Sequence, residues 1–113
     1  MAAAPDNWIT QVRKGVLELC VLNALRAGAK YGYDIVKSLR PVDALVVGEG
    51  TIYPILSRLR REGFLRSTIE ESDAGPPRKY YALTTSGRSR LSAMNAYWKS
   101  LTDNIATLMR QTT

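Results

Sequence analysis

Glu49-Gly-Thr-Ile-Tyr-Pro-Ile-Leu-Ser-Arg-Leu-Arg-Arg-Glu-Gly63 reads as a short helix with two unlike faces. Ile52, Ile55, Leu56 and Leu59 recur at i, i+3, i+4 and i+7, the spacing of a single apolar stripe. The opposite side carries Tyr53, Pro54, Ser57, Arg58 and Arg61, with Thr51 and Arg60 on the flanks. Proline has no N–H to give, which costs nothing in the first turn and a great deal later. The helix is therefore expected to start close before Pro54, with Gly50 or Thr51 as N-cap and Gly63 as its C-terminal stop. Such a helix docks by its stripe and presents hydroxyls, an aromatic ring and guanidiniums outward. Those groups suit phosphates and base edges in a DNA major groove. They equally suit an ordinary solvated face, so the flanking chain has to decide.

Working backwards, Tyr31-Gly-Tyr-Asp-Ile-Val-Lys-Ser-Leu39 forms a shorter helix whose inner side is Ile35, Val36 and Leu39, stopped by Pro41. The connection from Asp43 to Glu49 is flanked by glycines at 48 and 50. Further back, a helix is expected from Asp6 or Asn7 to Ala27, behind a disordered leader over residues 1–6. Its second half is apolar almost all round, through Leu17, Leu19, Cys20, Val21, Leu22, Ala24 and Leu25. That half belongs at the centre of a domain or in an interface. Three helices, the last two short and joined tightly, make a helix-turn-helix.

Working forwards, the period changes after Gly63. Phe64-Leu-Arg-Ser-Thr-Ile-Glu70 and Arg78-Lys-Tyr-Tyr-Ala-Leu-Thr84 read as two strands around the turn-rich Glu71-Ser-Asp-Ala-Gly-Pro-Pro77. The result is a β-hairpin with its tip over Asp73 to Pro77, which makes the helix-turn-helix a winged one. Arg78 and Lys79, at the base of the wing, are placed to reach phosphates or a minor groove; a charged edge that guards a solvated hairpin has the same composition. Thr85 or Ser86 starts a last helix that runs to about Met109. Leu91, Met94, Trp98, Leu101, Ile105 and Leu108 are spaced 3, 4, 3, 4, 3 along it, an a/d seam. Together with the first helix, that seam fits a dimer interface. The expected fold is mainly α with a small β-hairpin: a winged helix-turn-helix DNA-binding domain over 1–84, and a C-terminal dimerisation helix over 85–113 in the same compact unit.

Composition narrows the function. The 113 residues make one domain, and 16 Lys and Arg against 10 Asp and Glu give a net charge of +6, which favours an anionic partner. Residues 51–90 hold eight of those basic side chains and four acidic ones. There is no histidine and a single cysteine, Cys20, so zinc binding and Cys-His catalysis are excluded and no metal or cofactor is expected. No Gly-rich phosphate loop is present, acidic residues are scattered singly, and no nucleophile–base pair is visible, so an enzyme is not expected. Cys20 reads as a small buried hydrophobe. One cysteine, no apolar run of membrane-spanning length and no signal peptide together point to the cytoplasm.

Four linked motifs carry a resemblance. Lys14-Gly-Val-Leu-Glu-Leu-Cys-Val-Leu22, Tyr31-Gly-Tyr-Asp-Ile35, Gly50-Thr-Ile-Tyr-Pro-Ile-Leu-Ser-Arg-Leu59 with Glu62-Gly63, and Arg78-Lys-Tyr-Tyr-Ala-Leu-Thr84 with Gly87 resemble the PadR family of bacterial transcriptional regulators. The likeness spans roughly residues 9–110 and is to the compact subfamily with a single C-terminal helix. It implies a winged-helix homodimer on a palindromic double-stranded operator, usually a repressor, released by a small effector. It implies a major-groove role for Thr51, Tyr53, Pro54, Ser57 and Arg58, with Tyr31, Lys37, Arg78 and Lys79 also near DNA. In the mechanism expected from this, Arg58, Arg61 and Lys79 neutralise phosphates. The resemblance further implies a pocket for flat aromatic compounds at Trp98, over which Trp8 could also pack; a tryptophan in a heptad seam is otherwise ordinary core. The chain departs from the family pattern between Arg40 and Gly48, where Pro-Val-Asp-Ala-Leu-Val-Val is apolar for a loop. The competing reading is a winged-helix protein-interaction module, or a ligand-binding dimer without an operator, in which the basic face serves solubility. Steep salt dependence and preference for one duplex would separate the two.

Overall fold

The computed structural model describes residues 3–41 and 49–111. The elements run α1 (Asp6–Ala24), β1 (Lys30–Tyr31), α2 (Gly32–Leu39), α3 (Glu49–Arg61), β2 (Leu65–Glu70), β3 (Arg78–Leu83) and α4 (Thr85–Arg110). The three strands form an antiparallel sheet in the order β1-β3-β2. This is a winged helix-turn-helix with a long C-terminal helix. Among the described residues, no helix is long and apolar enough to cross a membrane.

The apolar half of α1 lies at the centre: Leu17, Leu19, Val21 and Leu22 are buried, followed by Leu25. Ile35, Val36 and Leu39 of α2 close on it from one side, and Ile52, Leu56 and Leu59 of α3 from another. Leu65, Tyr81 and Leu83 bring the sheet onto the same core, and Leu91 brings in the root of α4. The stripe read from the spacing of α3 is thus the face that docks.

Gly63 ends α3 as expected. The Phe64 N–H donates to the Leu59 carbonyl at 2.9 Å and the Gly63 N–H to the Arg60 carbonyl at 3.1 Å. That double closure needs a left-handed residue, and Gly63 sits at φ 85°. The junction then locks. Thr84 Oγ1 donates to the Gly63 carbonyl at 2.6 Å and accepts from the Gly87 N–H at 3.0 Å, capping α4. Ser86 Oγ donates to the same carbonyl at 2.9 Å.

Four details differ from expectation. Helix α1 stops at Ala24 rather than Ala27, because the chain tightens: the Leu25 and Arg26 N–H groups bond three residues back, to Leu22 and Asn23. Its N-cap is Pro5, so Asp6, expected in the leader or as a cap, is already helical. Tyr31 is in a strand, not in α2: Lys30 and Tyr31 pair with Tyr81 and Tyr80 on the free edge of β3. Two residues are too few to show alternation, which is why sequence periodicity is blind to β1. Pro54 lies in the second turn of α3, since the helix is already formed at Glu49. The expected connection from Asp43 to Glu49, the apolar stretch before Gly48, and the first two and last two residues lie outside the described residues, apart from Glu49 itself.

The hairpin matches the expected one. Leu65 pairs with Leu83 at its root and Glu70 with Arg78 at its far end, leaving residues 71–77 as the tip. Arg78 and Lys79 therefore occupy the two rungs next to the tip, not the rungs beside the core.

Candidate nucleic-acid interface

Thr51, Pro54, Ser57 and Arg61 are exposed on α3, along the side opposite the buried stripe. Tyr53 is different. It is half-buried, and its ring lies over Gly32 at the start of α2: a Cβ at position 32 would sit 2.8 Å from the Tyr53 ring. Glycine there lets the recognition helix approach α2. Burial raises the Tyr53 phenol above its ordinary value, and Glu49 and the nearby Tyr31, Tyr81 and Tyr33 push the same way, so it stays a neutral O–H donor.

The sheet edge continues this cluster. The Tyr31 and Tyr80 rings are 5.9 Å apart and tilted by 46°. The Arg78 guanidinium lies 5.0 Å over the Tyr31 ring, and the Lys79 ammonium 5.9 Å over the Tyr81 ring. On α2, Lys37 and Arg40 sit 5.9 Å and 5.6 Å over Tyr33, whose hydroxyl accepts from Arg40 Nη2 at 3.2 Å. Cation–π contact of this kind steadies a cation without neutralising it. The structure thus brings Tyr31 of β1, Tyr53 of α3 and Arg78 of the wing near one another, with Lys37 further along α2. Tyr33, Tyr80 and Arg40 are not singled out by the sequence; each lies within three residues of another aromatic or basic one, which is the signal they offer.

Arg58 sits elsewhere. Its Nη2 donates to Glu18 Oε1 of α1 at 2.8 Å, and its Nη1 to Glu62 Oε1 at 2.9 Å. Arg90 Nε of α4 donates to the other Glu18 oxygen at 2.8 Å, and its guanidinium stacks 4.5 Å over Phe64. Burial by itself would raise the Glu18 carboxyl. The hydrogen bonds from Arg58 and Arg90 and the attraction of both guanidiniums outweigh it and hold the carboxyl below the usual glutamate value. A depressed folded pKa means stability that is full above the unfolded value, about 4.5, and lost as pH falls through the lower folded one. Acid titration followed by circular dichroism should show this loss, and Glu18→Gln should flatten that part of the curve. An identical acid limb in the variant would mean that the carboxylate is not what the acid removes.

A second concavity lies between α1 and α4. It is an apolar groove of about 760 Å³ whose walls include Trp8, Val12 and Val16 on one side and Met94, Trp98 and Ile105 on the other. Trp8 and Trp98, expected over a common pocket, line this groove together. Beside it the two helices are tied by a reciprocal amide pair, Asn23 Nδ2 to Asn95 Oδ1 at 2.9 Å and Asn95 Nδ2 to Asn23 Oδ1 at 3.0 Å. The seam of α4 leaves the core along its length. Leu91 is buried and Met94 half-buried, whereas Trp98 is 39%, Ile105 45% and Leu108 65% exposed in the protomer. Cys20 is half-buried, and burial raises its thiol, which disfavours the reactive thiolate.

Comparison with known proteins agrees with this architecture. The model of the transcriptional regulator PadR-like family matches residues 21–93. A PadR-like transcription factor from Bacteroides fragilis is 42% identical, with TM-score 0.75 over 91% of this chain and 99% of that one. A PadR-like transcriptional regulator from Bacillus cereus is 33% identical, with TM-score 0.81 over 90% and 99%. A PadR family regulator from Eggerthella lenta is also 33% identical, with TM-score 0.80 over 94% and 92%. With its winged helix-turn-helix and this family match over most of its length, the chain belongs to the PadR-like family of transcriptional regulators, DNA-binding proteins rather than enzymes.

Proposed function

We propose that the chain acts in the cytoplasm as a homodimeric repressor, bound to a palindromic operator and released by a small hydrophobic or aromatic effector. The observation that carries this reading is the arrangement at the sheet edge, where Tyr31 packs on Tyr80 and carries Arg78 over its ring, with the Tyr53 ring of α3 seated over the adjoining Gly32. It ties the exposed side of α3 to the start of α2 and to the wing, so hydroxyls and cations from three elements form one surface. Thr51, Pro54 and Ser57 read bases, while Lys37, Arg61, Arg78 and Lys79 hold phosphates. Residues 1–84 form the reading head and residues 85–113 the pairing helix. Two copies meet along Trp98, Leu101, Ile105 and Leu108, which sets two recognition helices about 34 Å apart, one turn of DNA. The effector enters the groove between Trp8 and Trp98, whose volume is that of an ordinary small-molecule site. Its binding biases a two-state arrangement of the two heads.

The test is fluorescence anisotropy on duplexes from upstream of the chain's own gene, against a scrambled duplex, over a range of salt. Selective binding that weakens steeply with salt is expected, and planar aromatic compounds should then release the operator. Arg61→Ala with Lys79→Ala should weaken both duplexes alike and make the salt slope shallower by about 3.6, four phosphates' worth for the dimer. An unchanged slope would mean that the phosphate-facing side is elsewhere. Weak binding, equal for both duplexes, would favour the interaction-module reading.

A further inference from the structure

Glu18 is the acidic residue in the apolar run from Leu17 to Leu22, the segment that packs at the centre of the fold. Its carboxylate serves two other helices at once, one oxygen to Arg58 of α3 and the other to Arg90 of α4, both at 2.8 Å. The Glu18 side chain is only 14% exposed. With Glu62 also on Arg58, two guanidiniums face two carboxylates and the cluster is neutral. Arg58 thus adds no net positive potential to the face of α3, although Ser57 beside it and Arg61 one turn on are exposed.

We propose that Glu18 is the positioning residue of the recognition helix: it fixes the roll of α3 against α1 and α4 and withholds Arg58 from the DNA backbone, which sets selectivity over non-specific binding. This rests on the DNA-binding reading above and revises the part that the sequence suggested for Arg58. The physical reason is the division of labour at such interfaces. Phosphate contacts add affinity for every sequence, whereas base contacts discriminate only when the helix presents them at a fixed angle. A carboxylate that removes one mobile cation and pins the helix serves both ends. Because Arg90 also stacks on Phe64, the same carboxylate ties the roll of α3 to the root of α4 and to the start of the wing.

Three variants test this in the operator assay, each first checked for folding by circular dichroism. Glu18→Gln removes the buried charge and leaves Arg58 with only the exposed Glu62, a surface pair weak enough for a phosphate to displace. Scrambled duplex should bind about three- to tenfold tighter, the salt slope should steepen by about 1.8 for the two protomers, and the operator-to-scrambled ratio should fall about tenfold. Asp103→Asn makes the same change in net charge at an exposed ion pair on α4, with Lys99, and should leave the ratio and the slope as in the wild type. Arg58→Met should lower the ratio while keeping the wild-type slope, because no phosphate contact is lost. Equal behaviour of Glu18→Gln and Asp103→Asn would overturn the proposal, and so would a slope made shallower by about 1.8 in Arg58→Met, which would put Arg58 of both protomers on phosphates. Should Glu18→Gln fail to fold, the Arg58→Met slope decides alone. A wild-type protein that prefers no duplex would overturn the DNA-binding reading itself, an outcome visible before any variant is made.

Discussion

Gly87→Ala is expected to destabilise the protein by about 3 kcal/mol and lower its melting temperature by about 10–20 °C. In an unconstrained helix the same change gains about 0.5–1 kcal/mol, so even the sign is diagnostic. At Gly87 a Cβ would lie 2.0 Å from the Phe64 carbonyl oxygen, and within 3.3 Å of that residue's C and Cα. Those are backbone atoms and have no other rotamer to adopt. Moving them would break the bond in which the Thr84 N–H donates to the Phe64 carbonyl at 3.1 Å. It would also pull on Gly63, which Thr84 and Ser86 hold through its carbonyl. Thermal melts at one fixed protein concentration provide the comparison, since association alone would shift the midpoint. A melting temperature at or above that of the wild type would mean that the wing and α4 are not in contact at this point.

In the proposed pair, Ile105→Glu is expected to raise the dimer dissociation constant at least about 100-fold, because pairing along α4 would bury an unpaired carboxylate from each copy. The protomer should fold as before, because Ile105 is 45% exposed and outside the buried core. Operator affinity should fall as well, by no more than the same factor, since a lone head reads only one half-site while the reading head itself is unchanged. Sedimentation equilibrium and the anisotropy assay measure the two effects separately. A variant that still sediments as a dimer with wild-type affinity would remove α4 from the interface.

Both expectations start from features that differ in how visible they are in the sequence. Gly63 and the stripe of α3 could be read directly, because a left-handed stop and a 3.6-residue period are local properties. The alternation of Tyr81 and Leu83 in β3 was equally local and matches their burial. The partner of a charge is not local. Nothing around Arg58 distinguishes a guanidinium that faces solvent from one that is met by a carboxylate 40 positions earlier in the chain. The hint lay in Glu18 itself, an acid inside an apolar run, where it would be costly without a cation. Pro54 suggests a later start for another reason: a proline favours the first turn, whereas this helix begins further back, at Glu49 at the latest. The helical wheel alone points Tyr53 outward. Gly32 leaves a hollow that the ring fills, and a wheel drawn for one helix contains no neighbours.

Helix α4 has 26 residues, about 39 Å of rigid rod at 1.5 Å per residue. Its anchors to the core, at Gly87, Arg90, Leu91 and Asn95, lie within the first eleven positions. The rest is a lever arm with its fulcrum against the wing. A tilt of about 5° at that fulcrum displaces the far end by about 3 Å, a large part of the 5.4 Å helical pitch. Were two copies to pair along this arm as proposed, a wedge of ångström size near Trp98 would become a rotation of each head about its own root. The mechanical advantage follows from helix length alone, and shortening the arm by whole turns would scale the response down in proportion.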